Sequence, residues 1–421
     1  MKPLKHFLFV AVTGFLCLTA QAQEPLLGDD VESLLAFARE RNSEFAIARY
    51  DAEAATERIV PAGILPDPKF RTELRDLTRM GEKNPTLAPN QVGSTRYLLT
   101  QDVPWFGKRQ LKREVAEFTA ESTRKKTLGV WNEIAAKIKT IYAKLYYLYH
   151  NERLTQENLD LMIWLGKITQ VRYVNGLASQ QDIIRAQIEQ TGMRNELLTL
   201  EAERRQAEIR MNALLARPAT ASLAKPEKLR TLPLAAKLDF TTLEDRVRSH
   251  NPLLSSDEFR IKAAEKEREL TYKNRYPDFT LGISPIQYQN AIKEWELMIE
   301  VNIPLRQSPR RAQERESEAL LSATRSRLES TMNQLIADLA ENLAGIDAAR
   351  KTEILITDSL LPQSELTFQA ALAGYETGKV NFSTLLDAQR QIRQAKQNQF
   401  KAQTEEQVRL AEIERIVGED L

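Results

Sequence analysis

The sequence predicts a mainly helical chain with a strand-forming portion that suits a β-barrel, organised as two structural repeats. Three observations support this fold class. Helix-forming residues dominate, whereas glycine (15 residues) and aromatic residues (7%) are scarce, which is the composition of long helices and coiled coils. A set of landmarks recurs at an offset of about 200 residues. Four short segments alternate apolar and polar residues, as strands with one apolar face do.

The first residues have the pattern of a secretory signal peptide, predicted to span 1–22. A basic start is followed by an apolar run over 7–18, too short to cross a bilayer, and by the cleavage pattern Ala20-Gln-Ala22. Cys17, the only cysteine, lies before the predicted cleavage point. We therefore expect an exported protein without disulfides or thiol chemistry. No later segment offers about 18 uncharged apolar residues, so membrane insertion would have to use strands.

Charge and side-chain chemistry argue against several classes of function. The net charge is +1, from 59 basic and 58 acidic residues, so no basic field is available to bind nucleic acid. After the signal peptide the histidines are His150 and His250, and neither has a partner at metal-ligand spacing. Gly107-Lys108 lacks the upstream glycine and the following Ser or Thr of a phosphate-binding loop. We predict no catalytic activity, no cofactor and no metal site.

The two repeats share one order of predicted elements: a helix, a pair of strands, a very long helix, a tight turn and a return helix. Tyr173-Val-Asn-Gly176 recurs as Tyr375-Glu-Thr-Gly378, each time shortly before an Ala-Gln pair. The predicted segments are a first repeat 23–217 (strand pair about 70–103, long helix 107–173, return helix 178–217), a connector 218–240, and a second repeat 241–421 (strand pair about 278–304, long helix 311–375, return helix 380–417).

The long helices are predicted from an uninterrupted apolar periodicity. No proline occurs from Gly107 to Tyr173, and apolar residues recur there in steps of three and four, namely Trp131, Ile134, Ile138, Ile141, Leu145 and Leu148. A helix of that span is roughly 100 Å long at 1.5 Å per residue. Helices of this length cannot surround one compact core, so we expect them to pack side by side as a bundle or a tube.

The predicted strands are the exception to the helical pattern. Side chains from Trp295 to Ile303 alternate between apolar and mostly polar, and so do those from Phe279 to Ser284; the first-half candidates are 70–77 and 95–103. Such segments suit a membrane barrel, although two soluble hairpins with one buried face would show the same pattern. Four strands are too few to close a membrane barrel, which needs about eight. A barrel would therefore be shared, and strand counting leaves open whether two chains supply eight strands or three supply twelve.

In the order of these features the chain resembles the TolC family of outer-membrane efflux proteins. The motif Gln101-Asp-Val-Pro-Trp-Phe-Gly-Lys-Arg109 and the two Tyr-x-x-Gly turns carry the same resemblance. The stretch from Pro104 to Arg109 is similar to the branch that serves heavy-metal cation pumps of the resistance-nodulation-division (RND) type. The resemblance implies a homotrimer in the cell outer membrane, with a twelve-stranded barrel in contact with lipid and a long periplasmic helical barrel. It also implies the passive exit duct of a tripartite efflux system, in which an inner-membrane pump and a periplasmic adaptor (membrane fusion protein) deliver the substrate.

The resemblance assigns a role to the two helical turns. Gly176 and Gly378 correspond to the turns that form the periplasmic tip in this family, where the adaptor docks. A turn between antiparallel helices also needs, physically, a residue that tolerates positive φ. The family's Val-Gly-Leu motif is present as Asn175-Gly176-Leu177, so the glycine and Leu177 match and the valine does not. We expect both turns to take part in docking, in addition to serving as ordinary helix ends.

The family's gate is held shut by polar links between neighbouring hairpins and is lined by aspartates. Asp182 and Tyr375 match positions of this closing network, whereas Val380 stands at the arginine position and cannot form the same salt link. Of two pore-lining aspartates, one matches Asp387 and the other is replaced by Thr384. A threefold ring of Asp387 would concentrate cations at the narrowest point; the alternative is a solvated acidic residue on a helix face. We expect a gate with weaker links.

Two other classes of protein share part of this pattern. A periplasmic adaptor also carries a coiled-coil hairpin, but it would be expected to have one hairpin flanked by glycine-rich β domains. A structural coiled-coil protein would not need the alternating segments near Phe279 and Trp295. Both classes fit the sequence less well than a channel. The exported substrate stays open between metal cations, drugs, organic solvents and other small molecules, because a passive duct has no selective pocket.

Overall fold

A computed structural model of the protein describes residues 27–421. The predicted signal peptide 1–22, with Cys17, lies outside the described residues. Within the described range, no helix combines the length and the apolar character needed to cross a membrane. Helices make up most of this part of the chain, and its strands form a single sheet.

The first half of the chain contains α1 (Val31–Arg41), α2 (Ser43–Glu57), α3 (Ile59–Gly63), β1 (Lys69–Arg75), β2 (Ser94–Val103), α4 (Lys108–Val174) and α5 (Gln180–Leu214). Side chains cap the first helices. Asp30 accepts a hydrogen bond from the Ser33 N–H (2.7 Å) at the start of α1, and Asn42 accepts one from the Phe45 N–H (2.9 Å) at the start of α2. These caps satisfy amide groups that have no partner within the helix.

A connector with a short 3₁₀ helix (Ala235–Leu238) leads to the second half, which contains α6 (Phe240–His250), α7 (Pro252–Lys273), β3 (Asp278–Tyr288), β4 (Ala291–Asn302), α8 (Gln307–Leu355), α9 (Leu361–Glu376) and α10 (Phe382–Val417). Asn251 caps α7 by accepting hydrogen bonds from the N–H groups of Leu253 and Leu254. Pro252 occupies the first helical position, where its missing N–H costs nothing.

The second long helix differs from the prediction of one unbroken helix over 311–375. A π-helical turn, Ile356–Leu360, separates α8 from α9. Pro362 lies at the start of α9. Proline has no N–H for the helical ladder, and its ring clashes with the carbonyl of the preceding turn. A widened turn just before the proline relieves this clash, and π-turns of this kind are frequent at functional sites.

The hydrophobic core follows the apolar seam predicted in α4. Ile134, Ile138, Leu145 and Leu148 are 0–3% exposed and pack against apolar residues of α1 and α5. A second apolar cluster lies where α4 and α5 meet α9 and α10, and a third lies where α6, α7 and α8 meet α10. The core is therefore distributed along the helices, as expected for helices that pack side by side.

The strands form one antiparallel sheet in the order β1-β2-β3-β4. β2 of the first half pairs with β3 of the second half, with Asp102 opposite Thr280, so the sheet joins the two halves. β1 and β4 lie at the edges of this sheet. Edge strands present unpaired amide and carbonyl groups, which are a template for pairing with another strand.

Candidate functional site

One face of the sheet exposes a continuous apolar surface. Strand pairing places Phe70, Leu99, Ile283 and Leu297 in one row, and these four side chains are 46–76% exposed. On β4 the same face also exposes Trp295, at 67%. Monomeric soluble proteins rarely expose a contiguous apolar patch of this kind. The surface therefore has the character of one that meets lipid or another apolar partner.

The opposite face of the sheet is charged. Arg96 of β2 lies near its centre, and its guanidinium contacts Glu296 (2.7 Å), the Ser284 hydroxyl (2.9 Å) and Glu73 (3.8 Å). The contacts connect all four strands, because these residues lie on β1, β2, β3 and β4 in turn. The sheet thus separates an apolar face from a face that suits water, as the alternation in the sequence predicts.

The turn between α4 and α5 is built around Gly176. Its φ is +73°, its N–H donates to the Tyr173 carbonyl (2.9 Å), and the N–H of Leu177 donates to the Arg172 carbonyl (2.7 Å). These two bonds form a Schellman motif, which ends a helix at a left-handed residue. Leu177 is 66% exposed and Val174 is 78% exposed, so this end of the hairpin is apolar.

The turn between α9 and α10 repeats the geometry at Gly378. Its φ is +77°, its N–H donates to the Tyr375 carbonyl (3.1 Å), and the N–H of Lys379 makes the second bond of the motif (2.8 Å). The two turns contact each other, because the Arg172 guanidinium donates to the Glu376 carbonyl at 3.0 Å. The glycines predicted at the tip therefore lie at two hairpin ends that are adjacent in the fold.

Tyr375 lies inside these hairpin ends. It is 3% exposed, and its hydroxyl is 3.0 Å from that of Thr169 on α4. The Arg172 guanidinium covers its ring at 4.8 Å, a cation–π contact, and the ring packs against Phe382 of α10 at 5.5 Å between centroids. Tyr375 therefore connects α4 to the α9–α10 hairpin within the chain.

Asp182 and Thr384 serve the starts of the two return helices. The Asp182 carboxylate accepts hydrogen bonds from the Ser179 N–H (3.1 Å) and hydroxyl (2.9 Å), which is a capping box at α5. Thr384 donates its N–H and its hydroxyl to the Asn381 side chain, both at 2.9 Å, at the start of α10. Within the protomer these contacts are local. A link from Asp182 to a neighbouring hairpin stays a prediction.

Asp387 extends from the exposed side of α10. Its side chain is 65% exposed and lies 3.6 Å from Arg390, which also pairs with Glu189 on α5. Close to the turns, Arg185 of α5 contacts the Ser383 hydroxyl. Sequence reasoning missed these contacts between α5 and α10. Their only signal in the sequence is that Glu189 and Arg390, of opposite charge, follow the two turns at comparable distances.

A buried carboxyl on α10 is a further feature that the sequence did not reveal. Glu406 is 1% exposed, and burial together with the negative charge of Glu353 raises its pKa from 4.5 to about 7, an effect that Arg350 opposes. Glu353 accepts a hydrogen bond from Gln403 at 2.8 Å. Glu353 comes just before the π-helical turn in the chain, so the carboxyl pair lies close to the interruption between α8 and α9.

A buried ion cluster connects α4, the connector and the end of α10. The Lys139 ammonium is 2.8 Å from the Glu414 carboxylate, and Arg230 is 2.9 Å from the same carboxylate. The side chains of Lys139 and Glu414 are each 5% exposed, and Lys139 also pairs with Asp420. Among residues 27–421, no group of three or more His, Cys, Asp and Glu side chains is placed to hold a metal ion.

Sequence comparison gives the family of the chain. A profile described as "Outer membrane efflux protein" matches residues 34–217 and again residues 243–419. The chain belongs to this family. This outer membrane efflux protein is 23% identical over 373 residues to the cobalt-zinc-cadmium resistance protein CzcC of Cupriavidus metallidurans. The match covers 87% of this chain and 84% of CzcC. The chain is also 23% identical over 400 residues to the pyoverdine export outer membrane protein OpmQ of Pseudomonas putida, covering 89% and 82%.

Solved structures of other outer-membrane proteins have the same fold as this outer membrane efflux protein. CusC superposes with a TM-score of 0.80 at 16% identity, covering 94% of this chain and 93% of CusC. VceC of Vibrio cholerae superposes with a TM-score of 0.80 at 15% identity, covering 93% and 96%. The TolC-like fold predicted from the sequence is therefore confirmed, as is the prediction of an outer-membrane efflux protein.

Proposed function

We propose that this protein is the exit duct of a tripartite efflux system, a passive channel for substrates that an inner-membrane pump of the RND type and a periplasmic adaptor deliver. The observation that carries the proposal is the amphipathic sheet, which exposes an apolar face and has β1 and β4 as open edges. Four strands are too few to close a membrane barrel. Three protomers would supply twelve strands, and closure would leave no free edge.

The helices support a long tube on the periplasmic side of such a trimer. α4 has 67 residues, which corresponds to roughly 100 Å. Apolar side chains outside the protomer core are exposed on α5, namely Ile184 (48%) and Ile188 (62%), and on α8 and α9, namely Leu355 (64%) and Leu366 (66%). Lateral packing against a neighbouring protomer would remove such surfaces from water.

The two adjacent hairpin turns support docking of the adaptor at Gly176, Leu177 and Gly378. Leu177 is exposed next to Val174, so the end of the tube offers apolar side chains on rigid Schellman turns. A helical hairpin of the adaptor would pack its own apolar residues on this end. Rigid turns favour such docking because little backbone freedom is lost on binding.

Four residues support a cation-selective gate at the same end. Asp387 is 65% exposed on α10, and three copies around a threefold axis would attract cations. Tyr375 joins α4 to the α9–α10 hairpin, and Asp182 fixes the start of α5. Thr384 adds an uncharged polar side chain one helical turn before Asp387.

Heavy-metal cations are the cargo that we propose. The similarity to CzcC over 87% of this chain and the stretch from Pro104 to Arg109 support it, and a ring of Asp387 carboxylates would favour cations over anions. The similarity to OpmQ favours one second candidate, an exported small molecule of the pyoverdine type.

Planar-bilayer conductance of the purified mature protein, with its oligomeric mass measured in parallel, tests this proposal. We expect a trimer with a small, cation-preferring conductance, and a weaker preference in Asp387→Asn. Asp347→Asn is the matched control, because it removes an exposed carboxylate (62%) that pairs with Lys351 on α8. Reversal potentials in Zn²⁺ salts, and block of the current by pyoverdine, distinguish the two cargoes.

Two results would contradict different parts of the proposal. A water-soluble monomer without conductance would exclude the channel. A trimeric channel whose ion preference is the same in the wild type and in Asp387→Asn would exclude the aspartate ring and leave the channel intact.

A further inference from the structure

The segments that join the sheet to the helices are strongly basic. Three of them, 104–113, 272–277 and 303–313, contain four, two and three Lys or Arg residues and no Asp or Glu. The fourth, 58–68, is balanced by Arg58 and Asp67. At the other end of the sheet, the connection 76–93 has two residues of each sign and the turn 289–290 has none. Among these connections, the excess of positive charge lies at the end of the sheet from which the helices extend.

We call the nine basic residues of the three segments the junction belt, and most of them have no carboxylate partner. Arg109 and Lys112 are exposed and Lys273 is half-buried, and none of these three takes part in an ion pair within residues 27–421. Three other members of the belt do form such pairs, namely Lys108 with Asp278, Arg113 with Glu117 and Arg275 with Glu314. The excess charge is therefore available to an external partner.

Backbone carbonyls hold two of these cations at the end of the sheet. The Lys273 ammonium donates to the Phe106 carbonyl at 3.2 Å, and a Cβ atom at Gly107 would lie 2.8 Å from the Lys273 nitrogen, so glycine leaves room for the ammonium. Arg109 donates its Nε–H to the Gly63 carbonyl at 3.0 Å. An ammonium has three donors and a guanidinium has five. These bonds therefore position the charge without cancelling it and leave N–H groups for an anion.

Aromatic side chains lie between the apolar face of the sheet and the junction belt. The Trp105 ring stacks on Tyr276, with 5.1 Å between ring centroids, and on Phe279, with 5.7 Å. Phe279 lies on the apolar face, because it alternates along β3 in step with Ile283. Phe106, the next residue after Trp105, is 78% exposed. Trp and Tyr concentrate where the hydrocarbon of a bilayer meets its headgroups. An apolar surface, an aromatic level and a cationic level thus follow one another from the sheet to the helices.

We propose that the junction belt binds the phosphate groups of anionic glycerophospholipids in the periplasmic leaflet of the outer membrane. The inference rests on the proposed function, in which the apolar face meets lipid and the helices lie on the periplasmic side. It adds the leaflet, the class of headgroup and the residues that select it. Lys and Arg side chains beside a bilayer attract anionic headgroups, and a guanidinium can donate two hydrogen bonds to one phosphate.

The shape of the side chains suits this role. Arg109 and Lys112 lie three residues apart on α4, so they share one face of the helix. Long basic side chains place their stems along apolar surface while the charged ends reach the headgroups. The connections at the far end of the sheet offer no excess of either sign, so headgroup selection is expected at one end only.

Quenching of tryptophan fluorescence by brominated lipid tests the belt in the reconstituted mature protein. Trp105 reports lipid beside the belt in a Trp295→Phe background. Trp295, which is 67% exposed and lies opposite Pro285 toward the β3–β4 turn, reports lipid near the far end in a Trp105→Phe background. Trp131 and Trp164 lie farther along α4 and give a constant background in both.

The bilayers contain brominated phosphatidylcholine and increasing amounts of unbrominated phosphatidylglycerol. Relief of quenching gives the binding of phosphatidylglycerol relative to phosphatidylcholine at each tryptophan. We expect a preference of at least about fivefold at Trp105, which is the effect of a single Lys or Arg beside an anionic surface. At Trp295 the two lipids should bind about equally. The preference at Trp105 should weaken as the salt concentration rises.

A triple variant and a matched control assign the preference to the belt. Arg109→Gln with Lys112→Gln and Lys273→Gln should remove the preference at Trp105. Arg153→Gln with Lys351→Gln removes exposed cations far from the sheet and should keep it. Far-UV circular dichroism confirms that each variant keeps its helices.

Each contrary result has a distinct meaning. Quenching of both tryptophans without a preference at Trp105, or a preference that survives in the triple variant, would overturn the belt while the membrane-inserted sheet stands. Loss of the preference on adding inorganic phosphate equal in amount to the lipid phosphate would identify a site for the free ion and overturn the lipid assignment. Quenching of neither tryptophan, together with absence of conductance, would overturn the proposed function as well.

Discussion

Glu406→Gln should make the helical part of the protein more stable at neutral and alkaline pH. The pKa of Glu406 is raised from 4.5 to about 7 by burial and by Glu353, so the folded protein holds this proton more tightly than the unfolded chain. The stability that the neutral carboxyl contributes is complete below pH about 4.5 and is lost as the pH rises through about 7. The difference between a pKa of 4.5 and one of about 7 corresponds to about 3.4 kcal/mol at full ionisation. About 2 kcal/mol of this falls between pH 5.5 and pH 8.

Thermal unfolding followed by far-UV circular dichroism at these two pH values measures the effect. Glutamine has nearly the same shape as glutamic acid and cannot ionise. Relative to the wild type, the unfolding free energy of the variant should therefore increase by about 2 kcal/mol from pH 5.5 to pH 8. This corresponds to about 3 °C in Tm for a chain of this length. Equal pH dependence in the wild type and the variant would refute the reasoning.

Glu405→Gln is the matched control for this experiment. Glu405 is the adjacent residue on α10, its side chain is 46% exposed, and it pairs with Arg409 at 2.7 Å. An exposed ion pair contributes at most about 1 kcal/mol. The control variant should therefore show the pH dependence of the wild type.

Three further predictions concern the turns and the ion cluster. Gly378→Ala should lower the unfolding free energy by about 1 kcal/mol, because φ is +77° there. Gly192→Ala is the control: it lies inside a helix with open space around it, so alanine should raise the unfolding free energy slightly. Equal Tm shifts in the two variants would contradict the strain at Gly378. Tyr375→Phe removes the hydroxyl contact to α4 and should lower amide-exchange protection of the α9–α10 turn by about 1 kcal/mol; unchanged protection would show that the contact is unimportant. Lys139→Met should cost about 2 kcal/mol in thermal unfolding, because Glu414 keeps only one of its two cations close by; a neutral effect would refute the cluster's contribution.

Local patterns predicted the elements of the fold well. Alternation along Trp295 to Val301 lies within β4, and the stretch without proline after Gly107 is α4. These features depend on residues close together in the sequence. The interruption before Pro362 also has a local cause. A proline inside a helical pattern predicts a break or a kink there, whereas the predicted helix 311–375 continued through it.

Contacts between distant segments were not predictable from one sequence. Thr169 and Tyr375 are 206 residues apart, and nothing in either neighbourhood indicates that their hydroxyls meet. The raised pKa of Glu406 arises from packing between α8 and α10. The sequence does not reveal this packing, because a glutamate among charged neighbours has the pattern of an exposed residue. The local role of Asp182 was available from the Ser179-x-x-Asp182 pattern, which is a capping box.

The pairing of β2 with β3 has a consequence for the time at which the sheet can form. Asp102 and Thr280 meet where β2 pairs with β3, although they are 178 residues apart in the sequence. Closing a loop of that length is slow compared with forming helices, and the β1–β2 pair is only marginally stable alone. We therefore expect the helical hairpins to form first and the sheet to follow only when most of the chain is available. Late completion of the sheet limits the time for which its edges are exposed to incorrect partners.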